Sequence, residues 1–398
     1  TLIPAYRKID EKQVLRDEIF PFNVIYNANL SAQEFRKIIR YPKTSAGFKY
    51  GAYRTARSRR REIYVYVIGE ASRADNWQLF GYGRATNPEL SRRNDICLFD
   101  NMLTQSNTTH KSVPMILSSV ATSEHDELFR RKGLPALFNE AGFRTCFISN
   151  QSPNGAMIDN LASDADALIY IRNPRFDMQM LDEMKKQIRA YPDDNMLFIL
   201  HCYGSHFCYH QRYPREFAKF RPDDDVAITA ANVETLRNAY DNSILYTDHF
   251  LASTIDYLQS LRGVCSALLY SADHGEDLYD DSRNRFLHAS PTTTYYQLHV
   301  AALSWFSPAY RAEFPAKAAA AHDNRHAPAT THALFHTMAD MASVASRYVD
   351  RSVSLVNAKF DYEAPRCYLN DHNEAVPFVK TGLNAHDLEQ FRERGIDL

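Results

Sequence analysis

Ile63-Tyr64-Val65-Tyr66-Val67-Ile68 is a short apolar run that stops on Gly69-Glu70. Comparable runs recur at Phe143 to Ser149, Ala167 to Ile171, Met196 to Leu200, Cys265 to Tyr270 and Ala301 to Phe306. Helical stretches lie between them, notably Leu134 to Ala141, Met178 to Arg189 and Ala230 to Leu261, the last closed by Arg262-Gly263. Short apolar runs alternating with helices are the pattern of a parallel sheet covered by helices, so the expected fold is α/β.

Three of the runs end on side chains that carry chemistry. The first leads to Glu70, the run at Ala267 to Tyr270 leads through Ser271-Ala272 to Asp273-His274, and the run at Met196 to Leu200 leads to His201 and then Gly204-Ser205-His206. Strand carboxyl ends line one edge of an open parallel sheet, where ligands bind, so Glu70, His206, Asp273 and His274 can converge from distant positions. Carboxylates with imidazole suit a divalent cation, zinc among them. Taken one at a time, Asp273 reads as a turn cap and His274 as a packed side chain; the coincidence of three strand ends favours the metal reading.

Thr108-Thr109-His110-Lys111-Ser112-Val113-Pro114 supplies the candidate nucleophile. Ser112 with Pro114 ahead of Met115-Ile116-Leu117 resembles a helix start, where free amides favour a bound phosphate. A threonine hydroxyl is a poor nucleophile at neutral pH unless a metal lowers its pKa. Without such a metal, Thr109 is a turn or capping residue.

Composition narrows the field further. The 398 residues are 45% hydrophobic and 24% charged, with 13 Gly and 17 Pro, the make-up of a globular chain with room for a sizeable core. Lys+Arg 46 against Asp+Glu 48 gives −2, which argues against a nucleic-acid partner. No apolar run approaches the roughly 18–20 residues that cross a bilayer. The opening Thr1-Leu2-Ile3-Pro4 has neither an initiator Met nor a signal segment and reads as a processed chain or excised fragment. The six cysteines form no C-x-x-C pair, although Cys202 and Cys208 are close enough in sequence to bridge. Arg54, Arg57, Arg59, Arg60 and Arg61, beside aromatics, suit either an anionic membrane surface or a solvated run with salt bridges. His322, His326, His332 and His336 look like a metal cluster, yet His332-Ala333-Leu334-Phe335-His336 lacks the Glu of a zinc-protease helix and reads as ordinary helix and loop surface. Glu276 and Asp277 read as residues that orient the loop, and Tyr240-Asp241-Asn242 as packing on the long helix.

Four separated motifs, Gly69-Glu70-Ala71-Ser72-Arg73-Ala74, Gly81 to Leu90, Thr109 to Pro114 and Ser271 to Glu276, agree in order and spacing with one family. From about residue 62 to about 357 the chain closely resembles the phosphoethanolamine transferases of Gram-negative envelopes, a branch of the alkaline phosphatase superfamily that includes the mobile colistin-resistance enzymes. The resemblance implies an alkaline-phosphatase-like fold, a mostly parallel sheet flanked by helices on both faces. It implies zinc held by Glu70, Thr109, Asp273 and His274, with Thr109 as the nucleophile. His206 and His288 are then catalytic residues beside the substrate phosphate or a second metal, and Asn107 and Ser152 join them in binding substrate. The implied donor is a phosphatidylethanolamine, and the acceptor a lipopolysaccharide or another envelope glycan at a membrane surface. The implied setting is the periplasm, with an inner-membrane anchor outside this chain. Residues 1–61 then form an arm towards that anchor, 62–375 the catalytic domain and 376–398 a peripheral tail; a monomer is expected. Two departures from the colistin-resistance branch weigh against a lipid A acceptor. The positions of a disulfide bracketing the nucleophile correspond here to Gln105 and Met115, and a phosphate-contacting Lys is absent from Asn150-Gln151-Ser152-Pro153-Asn154-Gly155.

The rival readings are a phosphodiesterase or phosphatase of the same superfamily, which passes the phosphoryl group to water, and a non-catalytic envelope-binding module. A sulfatase activity is disfavoured, since no Cys or Ser is followed by the x-Pro-x-Arg pattern that such enzymes convert to formylglycine.

Overall fold

The computed structural model describes residues 20–173, 176–361 and 366–398, so the opening Thr1-Leu2-Ile3-Pro4 and the first part of the expected arm lie outside the described residues. The described residues divide into two compact units, 20–48 with 129–131, and the remainder. In the first, helix α1 (Phe22–Thr44) ends where the amide and hydroxyl of Ser45 both return to the Tyr41 carbonyl. Phe22, Ile25, Phe35 and Ile39 of α1 are exposed. Among the described residues no helix is long and apolar enough to cross a membrane.

The second unit is built on a seven-stranded sheet. Its strands are β1 (Arg61–Gly69), β2 (Ile96–Leu98), β3 (Arg144–Ser149), β4 (Ala167–Tyr170), β5 (Met196–His201), β6 (Val264–Ala272) and β7 (Ala302–Phe306). They lie in the order β2-β7-β6-β1-β5-β3-β4. β1 is central, parallel to β5 on one side and β6 on the other, and β3 lies parallel to both β5 and β4. Only β7 opposes the rest, running antiparallel to β6 and to β2. Residues 63–68 are wholly buried, which is why this strand shows no apolar–polar alternation: both of its faces are covered. On one face Ile63, Val65 and Val67 belong to one apolar cluster with Met184 of helix α4 (Met178–Ala190) and Ile244 and Ile255 of helix α5 (Val233–Ser260). On the other, Tyr64 packs edge-on against Phe143 and against Tyr310 of helix α6 (Pro308–Glu313). Helix α3 (Leu134–Glu140) adds Phe138 beside Phe143 on that face. The fold is therefore the expected α/β arrangement of a mostly parallel sheet with helices on both faces.

Helices α7 (His332–Met341) and α8 (Ala385–Glu393) lie further along the chain. α8 starts in a capping box between Asn384 and Asp387, and its Phe391 packs with Phe378 and Ile396 around Tyr295, Leu298 and Tyr368. Part of the basic stretch turns inward. Arg54 makes two 2.8 Å bonds to the buried carboxylate of Glu62 and lies over the Phe143 ring, while Arg61 donates to the carbonyls of Tyr191 and Asp194. All six cysteines are free, Cys202 and Cys208 included.

The histidines on α7 depart from the expected surface role. His322 and His326 are exposed, but His336 is buried and its Nε2 lies 3.1 Å from Nε2 of His332. The Asp350 amide donates to Nδ1 of His336, so the His336 proton sits on Nε2 and is given to His332. This bond requires both rings to be neutral, and burial pushes His332 down to about 4 and His336 well below the usual histidine value. Between that range and about 6.5 the unfolded chain binds more protons than the folded one, so the pair's contribution to stability is lost as pH falls. The melting temperature of the unaltered chain is expected to fall more steeply between pH 6.5 and 4.5 than that of a His332→Leu/His336→Leu variant. Parallel slopes would contradict the assignment.

Candidate active site

The carboxyl end of β1 delivers Glu70, and the register Gly69↔Ala272 with β6 brings Asp273 and His274 to the same edge. A backbone bond from the Asp273 amide to the Gly69 carbonyl at 3.0 Å fixes that juxtaposition. Asp273 is held in place by the amides of Ala71 at 3.1 Å and His274 at 2.8 Å. His274 gives Nδ1 to the Gly275 carbonyl at 2.8 Å, which leaves Nε2 with its lone pair facing the two carboxylates, 3.5 Å from Glu70 and 3.4 Å from Asp273. Gly275 is required by space: a Cβ there would stand 2.0 Å from the Tyr296 carbonyl oxygen. At Gly204, where φ is +46°, a Cβ would come within 2.9 Å of the Glu70 backbone.

Helix α2 (Thr109–Ile116) brings the hydroxyl to this group. It begins three residues earlier than the Ser112 start read from sequence, because Thr108 adopts the extended N-cap conformation and its carbonyl takes the amides of Lys111 and Ser112. Pro114 thus falls inside the helix rather than in its first turn. Thr109 becomes the first helical residue. Its Oγ1 lies 3.2 Å from each carboxylate oxygen of Glu70 and 3.1 Å from Nε2 of His274. Free amides at a helix start favour an anion.

Glu70, Asp273 and His274 are each buried, and their ligand atoms lie within 4.8 Å of one another. Burial raises the pKa of Glu70 well above the usual carboxylate range, with repulsion from Asp273 adding to it, and burial raises Asp273 as well. Burial and the neighbouring His288 push His274 down to about 3, so it is a neutral lone-pair donor. Two buried carboxylates, a neutral imidazole and a hydroxyl within hydrogen-bond distance fit a divalent cation of the zinc type.

A second group adjoins the first. His288, on the loop after Leu287, donates Nδ1 to Glu276 Oε2 at 3.0 Å, and its ring centre lies 4.1 Å from that of His274. Burial opposes the charge on His288, but the bond to Glu276 and the nearby carboxylates raise it to about 9, leaving a cation beside the site. Glu276 is fully buried and also accepts the Tyr209 hydroxyl at 2.6 Å, and with His274 and His288 it forms another set with metal-ligand spacing. His206 is half-buried next to Tyr203, with its pKa lowered by burial, and is coupled electrostatically to His288 and Glu276.

The other two expected substrate-binding residues are Asn107 and Ser152. Asn107 is fully buried, its amide nitrogen given to Gln297 and Ser290 and its oxygen taken by the Tyr368 hydroxyl. Ser152 is exposed and lines a separate cavity beside Gln151. Sequence reading missed Gln151, whose Nε2 donates at 2.9 Å to both Glu70 Oε2 and the Cys202 carbonyl. It lies just beyond the end of β3, so following that fourth strand end would have found it. The Tyr240-Asp241 pair does more than pack: the Tyr240 hydroxyl bonds the Ala71 carbonyl at 2.6 Å and accepts the Arg73 amide, and Asp241 holds Asn76, Tyr82 and Arg84, which braces the turn after Glu70. Gln105, at a position where the colistin-resistance branch has a cysteine, is fastened instead by hydrogen bonds to Thr122 and Thr331.

Comparison with known proteins gives this arrangement a lineage. The family model described as Sulfatase matches residues 62–344. The chain is 31% identical over 266 residues to the Kdo(2)-lipid A phosphoethanolamine 7''-transferase of Escherichia coli K12, covering 64% of this chain and 46% of that protein. It spans about half the length of the curated relatives it matches. The C-terminal periplasmic domain of EcEptC from Escherichia coli, solved in complex with Zn, superposes with a TM-score of 0.74 at 25% identity, covering 83% of this chain and 95% of that one. The integral membrane lipooligosaccharide phosphoethanolamine transferase A from Neisseria meningitidis gives a TM-score of 0.75 at 25% identity, covering 89% and 68%. The family match takes in Glu70, Thr109, Asp273, His274 and both histidines beside them, and the chain belongs to the sulfatase family, where the relatives it resembles are named phosphoethanolamine transferases.

Proposed function

We propose that the chain is the periplasmic catalytic part of an inner-membrane phosphoethanolamine transferase. It moves phosphoethanolamine from a phosphatidylethanolamine-like donor to a lipopolysaccharide or other envelope glycan through a phosphothreonine-type intermediate. The observation that carries this reading is the Thr109 hydroxyl at a helix N-terminus, within 3.2 Å of both Glu70 oxygens and 3.1 Å of His274 Nε2. Glu70, Asp273, His274 and Thr109 would hold zinc, which when bound lowers the pKa of a neighbouring hydroxyl and offsets phosphoryl charge.

In the first step Thr109 Oγ1 forms a bond to phosphorus, the bond to the diacylglycerol oxygen breaks, and the proton lost by threonine is balanced by one gained on diacylglycerol. His288, charged at neutral pH through Glu276, would donate a hydrogen bond to a phosphoryl oxygen or a proton to the leaving oxygen, and His206 would do the same. In the second step an acceptor hydroxyl or phosphate takes the group and Thr109 regains its proton. Two in-line displacements give net retention at phosphorus.

Incubating zinc-loaded chain with detergent-dispersed, headgroup-labelled phosphatidylethanolamine is expected to leave label on the Thr109 peptide, and adding an envelope glycan fraction to discharge it. Label that goes only to water, or a Thr109 peptide that stays unmodified while diacylglycerol is released, would replace this reading with a hydrolase.

A further inference from the structure

Asn107 stands two residues before Thr109 in the chain and is closed to solvent, and its polar atoms are engaged around the loop that bears His288. Its carbonyl accepts the Ala289 amide at 3.2 Å. Its side-chain nitrogen donates to the Ser290 carbonyl at 3.0 Å and to Gln297 Oε1 at 2.6 Å. The Ser290 carbonyl has no proton to give, so the nitrogen must face the loop, and Oδ1 is left to accept the Tyr368 hydroxyl at 2.6 Å. The two residues after His288 are thus both tied to the segment that carries the nucleophile.

The turn held in this way is strained. Leu287 and Ala289, on either side of His288, have φ of +71° and +63°, a region that residues with a Cβ rarely adopt. Such a backbone persists only where its surroundings over-determine it. Here a closed ring of contacts does so. Gln297, which accepts from Asn107, donates from Nε2 to Asp277 Oδ2 at 2.6 Å, and Asp277 is the antiparallel strand partner of Leu287. Leu287 leads through His288 to Ala289, whose amide returns to Asn107. Asp277, Gln297 and Tyr368 are buried as well, so these bonds do not compete with solvent. His288 is the member of the ring beside the active site: its ring centre is 4.1 Å from that of His274, whose Nε2 lies 3.1 Å from the Thr109 hydroxyl.

We propose that Asn107 is a positioning residue which, through this ring, sets His288 against the phosphoryl group that Thr109 attacks. The assignment rests on the transfer reading above, in which His288 serves a phosphoryl or leaving oxygen, and it adds how a nucleophile and a histidine far apart in sequence keep one geometry. Without the Asn107 side chain, the Ser290 carbonyl and Gln297 Oε1 lose their donor, the turn relaxes from its left-handed backbone, and His288 moves with it.

The test is a cycle of four zinc-loaded proteins: the unaltered chain, Asn107→Ala, His288→Ala and the double variant. Each is assayed for single-turnover release of labelled headgroup from detergent-dispersed phosphatidylethanolamine. Asn107→Ala is expected to slow release by about 10²-fold. In the His288→Ala background the same substitution is expected to slow it by less than about threefold, because a residue that acts through His288 then has nothing left to position. Equal losses in both backgrounds, or no loss in the unaltered one, overturn the proposal. Hydrogen exchange supplies a readout that needs no turnover. Amides of residues 286–292 are expected to exchange about tenfold faster in Asn107→Ala, and unchanged protection there overturns the proposal as well. Should Asn107→Ala fail to fold, Tyr368→Phe removes the single hydroxyl that orients the Asn107 amide and takes its place in both measurements, with an expected slowing of about tenfold that disappears without His288. Release to water with no label on Thr109 would reject the transferase reading while the cycle still decides on Asn107. Label on Thr109 with equal losses in both backgrounds would keep the transferase and reject the positioning role.

Discussion

Replacing Thr109 by alanine is expected to lower phosphoethanolamine transfer by about 10⁴-fold or more, with little change in melting temperature, because it removes the oxygen that forms the covalent intermediate. The hydroxyl is half-buried at the first position of α2, where removing a methyl and an oxygen opens no core cavity. Its partners keep other bonds: Gln151 still donates to Glu70, and the Gly275 carbonyl still fixes His274. The helix start also survives, since its N-cap is Thr108 and not Thr109. Thr109→Ser keeps an oxygen in reach and is expected to recover measurable transfer, limited by the freer rotamer of serine. The decisive measurements are labelled transfer to an envelope glycan and mass analysis of the Thr109 peptide. A folded alanine variant working within about tenfold of the unaltered chain would move the covalent step to another residue.

The frame of this site was legible because its central strands are buried on both faces. Ile63 to Ile68 carries enough continuous apolar sequence to be read as a strand, and so do the runs that became β3 to β7. β2 escaped: three half-buried residues at an edge, Ile96 to Leu98, are too few to carry a period. Glu70, Asp273 and His274 were readable as strand-end residues, and the parallel register of β1 with β6 is what turns two distant sequence positions into neighbours. Gln151 and Glu276 were harder, since their roles lie in a bond to another side chain and neither residue type at that spacing announces one. His332 and His336 were misplaced for a related reason. Two histidines one turn apart look like surface residues when polarity is judged singly, but a pair that satisfies itself as donor and acceptor can be buried at little cost.

The second large effect concerns charge. Glu70 and Asp273 sit one residue beyond the paired positions Gly69 and Ala272, so two carboxylates are buried side by side, and the imidazole between them is kept neutral. Without a cation these like charges oppose each other in a setting where water cannot screen them. Glu70→Gln is nearly isosteric and keeps an oxygen for the Gln151 amide, but it removes one of the two charges. In chelator-treated protein the variant is therefore expected to be more stable than the unaltered chain, by about 1–3 kcal/mol, which is a rise of a few degrees in melting temperature. Adding zinc should reverse the order. The unaltered chain gains stability in proportion to the logarithm of zinc concentration above its dissociation constant, whereas the variant lacks one of the anionic ligands that give the site its affinity and responds weakly. Transfer activity is expected to fall with the zinc response, since the carboxylate that would hold the cation also accepts the Thr109 hydroxyl. Thermal melts of both proteins, each with chelator and with a zinc series, separate these effects. A variant less stable than the unaltered chain in chelator, with an undiminished zinc shift, would mean that Glu70 serves as a structural hydrogen-bond acceptor and that the cation is held by other groups.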